Sequence, residues 1–374
     1  MRNPERILIY RIGQLGDTII ALPALWALRK HFPAARLSML VDRHPDVLHV
    51  LPSQVLPQAG LVDEWLEYPT SSTGMRIKLM VKVLSDLRSR RFDTLVYLVP
   101  RGLQPWRVWR DMAFFRMAGI RNFIGHKGLN SLPAKVYGLP LPLVQQEADD
   151  LLNRLYLSGV TVPLPGKGCM ELLLTNEELS QTAFVMISRI GKQYSQLPLI
   201  GFGPGSKWPS KLWPEERFAE LGQRLISRLG AYPVIFGGPE EFQLGERLLA
   251  KWGRGSNTAG QLSIRQVAVA LKACRFYVGN DTGIMHLAAA AGVPCVGIFA
   301  AHDWPGRWYP YSTKHIVLRH SVPCEGCLLK VCIKEGMRCI KLITVDDAFV
   351  ACQNICKSIN QLDLSLRNFY IREK

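Results

Sequence analysis

The stretch Phe276–Gly292, FYVGNDTGIMHLAAAAG, decides the fold. Phe276–Val278 is apolar and predicts a short buried strand. Gly279-Asn280-Asp281-Thr282-Gly283 predicts a tight turn, and Ile284–Ala291 predicts a small-residue helix. Gly279 and Gly283 allow a close approach of backbone to a ligand. Asp281 and Thr282 suit a helix N-cap. The helix start behind them offers free N–H groups and a positive dipole end, a ready site for phosphate. The four alanines Ala288–Ala291 let that helix lie close to a sheet. Pro294–Phe299 follows as an apolar strand without alternation, the pattern of a parallel sheet covered on both faces.

Working upstream, Leu199–Phe202 predicts a strand, followed by the loop GPGSKWPSKLWP (203–214). Pro214 fits the first position of a helix running to Leu229, with Glu215 and Glu216 in its first turn. Ser206, Lys207 and Lys211 lie on the loop between. A hydroxyl and two ammonium groups there can hold a diphosphate; as an ordinary basic loop they need no ligand. Val234–Phe236 predicts another strand, ending at Gly237-Gly238-Pro239-Glu240-Glu241. Glu240 reads either as a carboxylate for two ribose hydroxyls or as charge compensation at a helix start. Ile264–Ala273 predicts a helix leading into the opening stretch. The second half is thus an alternating strand–helix unit from Leu199 to about Leu318.

The first half begins in the same way. Arg6–Arg11 predicts a strand, Gly13–Asp17 a glycine loop, Thr18–His31 a helix ended by Pro33, and Leu37–Val41 a second strand. In such open sheets, ligands sit at the carboxyl ends of the strands. The loop is not the dinucleotide fingerprint G-x-G-x-x-G, and no phosphate-binding lysine follows it. Asp17 reads as an N-cap or as a general base at a strand end. Val62–Tyr68 and Phe92–Val99 are further strands, Leu172–Leu174 a connecting one, and Gln145–Gly159, Asn176–Lys192 and Thr344–Asn360 further helices. The Pro- and Gly-rich stretch near Val160–Gly168 places the domain boundary between about Pro163 and Gln196.

The 374 residues suffice for two domains, and a charged content of 20% against 48% hydrophobic residues excludes a disordered chain. The net charge of +16 calls for an anionic partner. Met75–Arg91 is basic at helical spacing, and Arg101–Lys135 holds seven Lys or Arg against one acid, with Trp106, Trp109, Phe114 and Phe115 interleaved. Arg76, Lys78, Lys82, Arg101, Arg107 and Arg110 then form a face toward acceptor and anionic headgroups. The rival is a nucleic-acid groove with stacking aromatics; no nucleic-acid module pattern appears, so that partner is disfavoured. The N-terminal stretch lacks the apolar core of a signal peptide and no window is long enough to span a bilayer, so a cytoplasmic, membrane-peripheral location is expected.

The pattern N-D-T-G-x-x-H resembles the nucleotide-sugar signature of glycosyltransferase family 9, the bacterial lipopolysaccharide heptosyltransferases. R-x-x-x-x-G-D at Arg11–Asp17 resembles the family's N-terminal motif, and Gly203–Pro214 its phosphate loop, with Lys211 and Ser206 at matching positions. Lys207 stands where a second hydroxyl is expected. The resemblance implies an α/β fold of two Rossmann-like domains facing a cleft, the GT-B type. Its acceptor-binding domain would be 1–175 and its nucleotide-sugar domain 176–360, with the tail 361–374 packing back on the first. It also implies an inverting transfer that needs no cofactor. The donor would be ADP-heptose and the acceptor the anionic, lipid-linked inner core of lipopolysaccharide at the cytoplasmic face of the inner membrane. Asp17 would be the base. Ser206, Lys207, Lys211, Glu240, Asp281, Thr282, Gly283 and His286 would bind the donor. The alternatives are another nucleotide sugar, a protein acceptor, or a basic nucleic-acid-binding protein without sugar chemistry.

Cys324-x2-Cys327-x4-Cys332-x6-Cys339 gathers four of the nine cysteines within a short basic stretch. Four thiolates suit a structural Zn²⁺ or iron site, with no open position for chemistry; the other reading is a reduced loop without metal. Cys352 and Cys356, at i and i+4 on the last helix, read as packing residues.

Overall fold

The computed structural model describes residues 4–43, 50–69, 77–129, 131–191, 196–333 and 335–372, with side chains to Ile359. Arg76, one of the predicted basic residues, lies outside them. The chain divides into two compact units, residues 1–134 with 145–173, and residues 135–144 with 174–374.

The first unit is built on β1 (Arg6–Tyr10), β2 (Arg36–Arg43), β3 (Glu64–Pro69), β4 (Thr94–Tyr97) and β5 (Asn122–Ile124). All pair in parallel, in the order β3-β2-β1-β4-β5. Ile7, Leu8, Ile9, Leu95, Val96 and Tyr97 are wholly buried, as expected where helices cover both faces. The chain reverses its direction of winding between β1 and β4. Their carboxyl ends are therefore where this unit can hold a ligand.

The second unit has β6 (Leu199–Gly203), β7 (Tyr232–Ile235), β8 (Ser256–Asn257), β9 (Phe276–Asn280), β10 (Cys295–Ile298) and β11 (Ile316–Leu318). Read from β8, the order is β8-β7-β6-β9-β10-β11, again all parallel. This is the doubly wound dinucleotide-fold order, with its switch point between β6 and β9. The register sets Gly203 against Gly279 at that point. Both glycines are needed for space. A Cβ on Gly203 would lie 1.7 Å from the Tyr277 hydroxyl, and one on Gly279 would lie 2.6 Å from the Gly203 carbonyl oxygen. Beneath them, Phe202, Trp213, Phe218, Trp252, Phe276 and Val278 form the core. The indoles are anchored through Trp213 Nε1 to the Ile343 carbonyl (2.9 Å) and Trp252 Nε1 to the Ala219 carbonyl (2.8 Å).

Several predicted elements differ in detail. The helix expected over Thr18–His31 is two helices, Leu15–Ile20 and Leu22–His31, broken at Ala21 because Pro23 at the start of the second cannot donate back into the first. Pro214 is the extended cap before the helix Glu215–Leu229, not its first residue. Leu172–Leu174 forms no strand. The short strands β5, β8 and β11 carry too few residues for a periodic signal. Residues 135–144 join the second unit, where Val144 N–H donates to the Pro305 carbonyl (2.9 Å) and Lys135 Nζ to the Gly326 carbonyl (3.1 Å). The last helix runs on from Val345 to Arg372.

Gly203→Ala is expected to cost about 1–3 kcal/mol by overpacking against the Tyr277 ring. The cost should shrink sharply in a Tyr277→Ala background, measured by urea denaturation. An undiminished cost would locate the conflict elsewhere.

Candidate active site

The switch point of the second unit brings two loops together. One follows β6 and carries Ser206, Lys207 and Lys211; the other follows β9 and carries Asp281, Thr282 and Gly283. Asn280, the last residue of β9 and fully buried, ties them. Its Nδ2 donates to the Pro204 carbonyl (2.8 Å) and the Gly205 carbonyl (3.3 Å), and its Oδ1 accepts from Trp213 N–H (3.2 Å). Sequence reading quoted Asn280 only as part of a pattern. A polar residue ending an apolar strand was the available signal.

Lys211 sits on a short 3₁₀ turn, Pro209–Lys211, and donates from Nζ to Asp281 Oδ2 at 2.7 Å. The Trp208 ring lies under the same Nζ, 5.5 Å from it. Asp281 was expected to cap the helix; its carboxylate turns to Lys211 instead, with His286 Nε2 4.0 Å from its other oxygen. The buried pair wins because an unpartnered carboxylate there would carry a large desolvation cost. Burial alone would raise Asp281, but the Lys211 ammonium outweighs it and holds the carboxyl below its ordinary range. Thr282 has the extended cap backbone of the helix Gly283–Ala290, but its side chain makes no cap hydrogen bond. Thr282 and Gly283 are partly exposed and His286 is buried.

Around this pair, Ser206 Oγ accepts from Trp208 N–H (3.1 Å), and Lys207 is exposed. Glu240 is exposed on the 3₁₀ turn after β7. Its neighbour Glu241 is inward, accepting from Gly238 N–H (2.6 Å), and burial followed by the Glu240 charge raises its carboxyl. Glu241 lies so close under the β6 loop that a Cβ on Gly205 would be 2.1 Å from its Cγ. Sequence reading missed His302, Asp303, Trp304 and Trp308, which border Asp281 from the loop after β10. Nothing in their spacing marks a site.

In the first unit, Asp17 is the third residue of the helix Leu15–Ile20, and Oδ2 accepts from Gln14 N–H at 2.8 Å. Its Oδ1 is 3.5 Å from Arg11 Nη2, and its side chain is 26% exposed, enough to reach a substrate. Arg11 is buried and donates to the Leu98 carbonyl (2.8 Å) and the Asp17 carbonyl (2.6 Å). Gly13, at φ 127°, is obligatory here, because a Cβ would lie 2.6 Å from Asp17 Oδ2. Asp17 therefore both closes its helix start and presents a carboxylate at the carboxyl end of β1.

Residues 164–338 match the profile of glycosyltransferase family 9 (heptosyltransferase). The chain is 28% identical over 335 residues to lipopolysaccharide heptosyltransferase 2 of Escherichia coli (strain K12), covering 84% of this chain and 88% of that one. Its fold is similar to the crystal structure of the glycosyl transferase family 9 from Veillonella parvula DSM 2008, with TM-score 0.71, 23% identity and 94% and 97% of the two chains covered. It is also similar to that of the E. coli ADP-heptose lps heptosyltransferase II, with TM-score 0.63, 22% identity and 96% and 99% covered. The chain is a glycosyltransferase, similar to family 9 over residues 164–338. Its fold is the two-domain GT-B type.

The remaining candidates of this glycosyltransferase fall in two regions. Lys78, Lys82, Arg107 and Arg110 are exposed on the helices Ile77–Ser89 and Pro105–Met117, which adjoin. Arg107 and Arg110 flank the exposed Trp106 ring at 5.5 and 5.4 Å. Arg101 does not join this face. It is turned inward onto the buried carboxylates of Glu147 (3.2 Å) and Asp150 (3.5 Å), which need a cation. Cys324, Cys327, Cys332 and Cys339 share one region, and all are free thiols. Burial raises the Cys339 thiol, and Cys327 and Cys332 add to the shift. Among the described residues no three His, Cys, Asp or Glu side chains converge as a metal sphere. The loop braces the turn that carries Lys211 through backbone: Ser210 N–H donates to the Lys330 carbonyl (3.1 Å) and Ser210 Oγ to the Leu329 carbonyl (2.6 Å).

A carboxyl depressed in the folded state adds stability that is present above its unfolded value and lost as pH falls through the lower folded value. Asp281→Asn is therefore expected to destabilise by about 3 kcal/mol near neutrality. The gap to wild type should hold down to about pH 5 and close below about pH 4. Urea melts across that range test this; a gap that widens on acidification would contradict it.

Proposed function

We propose that this glycosyltransferase moves a heptose from ADP-heptose to the anionic inner core of lipopolysaccharide, inverting the anomeric centre. The observation that carries the reading is the Lys211–Asp281 pair at the β6/β9 switch point, beside the start of the helix Gly283–Ala290. A fixed ammonium and a helix N-terminus at one spot suit a diphosphate leaving group. The names of the similar heptosyltransferases support the sugar and the acceptor.

In the reaction, the acceptor oxygen forms a bond to the anomeric carbon as the bond from that carbon to the diphosphate breaks. The electron pair leaves with the β-phosphate of ADP. Lys211, the Ser206 hydroxyl and the N–H groups at Thr282–Gly283 meet that charge as it develops. Asp17 takes the acceptor proton, and Arg11 holds the carboxylate in place for it. Glu240, exposed after β7, accepts from the ribose hydroxyls. No step needs a metal. A structural Zn²⁺ or iron ion at Cys324, Cys327, Cys332 and Cys339 would require these thiols to rotate into one sphere.

No described helix is long and apolar enough to cross a membrane. Ile77 (80%), Val81 (59%), Trp106 (56%) and Trp109 (73%) are instead exposed among Lys78, Lys82, Arg107 and Arg110. Apolar and aromatic tips among cations support docking on the anionic cytoplasmic face of the inner membrane, where the lipid-linked acceptor is met.

Asp17→Ala is expected to bind ADP-heptose within a few-fold of wild type while turnover falls by about 10²–10⁴. Unchanged turnover would remove Asp17 as the base, and loss of donor binding would assign it a structural role. Trp106→Ser with Trp109→Ser should weaken binding to vesicles containing anionic lipid without changing turnover on a soluble acceptor; equal vesicle binding would refute the membrane face.

A further inference from the structure

The loop after β10 closes a pocket next to Asp281 that the diphosphate chemistry does not use. Phe299, Trp304, Trp308 and Tyr309 provide its aromatic walls, with His302, Asp303 and Arg319 as polar members. Phe299 and Tyr309 meet edge-on at 5.1 Å. The charged members are already satisfied. Asp303 accepts from Trp308 Nε1 (2.9 Å) and Trp304 N–H (2.7 Å), and Arg319 pairs with Glu325 (2.8 Å).

Two polar groups in the wall are not satisfied. His302 is 5% exposed and Trp304 is 9% exposed, yet His302 Nδ1 and Trp304 Nε1 have no hydrogen-bond partner. Buried polar groups are normally paired, so two orphans lining one pocket mark a place that a ligand completes. An indole N–H can only donate, and so needs an acceptor. Burial, with the Lys211 charge, lowers the His302 imidazole to about 4, so at neutral pH it is uncharged. A neutral imidazole and an indole N–H between aromatic rings suit an uncharged hydroxyl, which both donates and accepts. The Asp281 and Asp303 carboxylates disfavour a second anion there. The pocket is joined to the phosphate side through Trp208, whose ring meets His302 at 5.5 Å and underlies Lys211 Nζ at 5.5 Å.

We propose that this pocket receives one hydroxyl of the transferred sugar, with His302 and Trp304 as the residues that select it. The proposal rests on the donor reading above and adds residues to it. A site built around hydrogen bonds to a hydroxyl rejects ligands that leave its polar groups unpaired.

Calorimetric titration of ADP and of ADP-heptose into wild type, Trp304→Phe and His302→Ala tests it. Trp304→Phe keeps the ring and removes only the donor. The expected result is ADP affinity within about two-fold of wild type in both variants, with ADP-heptose at least about ten-fold weaker, the scale of one lost hydrogen bond. Equal weakening of both ligands would give the residues a structural role and overturn the proposal, as would unchanged binding of both. If wild type fails to bind ADP at all, the donor site itself is wrong.

Discussion

Lys211 and Asp281 form an ion pair 2.7 Å long, with side chains 18% and 6% exposed, and the second unit is arranged to make that contact. Its partners lie 70 positions apart in the chain. They meet because a parallel sheet wound in two directions sets β6 beside β9. A buried pair adds little net stability, since desolvation offsets most of the attraction. In the proposed reaction its value is positional: the ammonium would stand ready where charge appears on the leaving group, with no reorganisation at the moment of reaction.

The two units solve the same problem in the same way. At each switch point a buried polar side chain from one central strand end binds the backbone of the loop or strand end opposite. In the second unit Asn280 holds the Pro204 and Gly205 carbonyls. In the first, Arg11 at the end of β1 holds the Leu98 carbonyl after β4 and the Asp17 carbonyl. The cysteine-rich segment extends this bracing. Gly326 N–H donates to the Ala301 carbonyl (2.8 Å) and Leu328 N–H to the His302 carbonyl (2.8 Å), while Lys330 and Leu329 hold Ser210. One segment thus supports both the turn that carries Lys211 and the loop that carries His302.

The strands at the centre of each sheet were legible because both faces are buried, which writes continuous apolar runs such as Arg6–Arg11 and Pro294–Phe299. The loops that hold Asp17, Lys211 and Asp281 were legible because glycine and polar residues interrupt those runs at strand ends. What escaped is long-range. That Asp281 pairs with Lys211 rather than capping its own helix depends on strand order. That Arg101 turns inward depends on Glu147, 46 positions away. His302 and Trp304 belong to a loop whose residues acquire meaning only from the pocket they enclose. Edge strands as short as Ser256–Asn257 carry no period at all.

The most direct test is a crystal structure with ADP bound. The β-phosphate is expected within hydrogen-bond reach of Lys211 Nζ and of the backbone N–H groups at Thr282–Gly283, with Asp281 still on Lys211. A diphosphate seated at another strand end, away from Lys211, would contradict it.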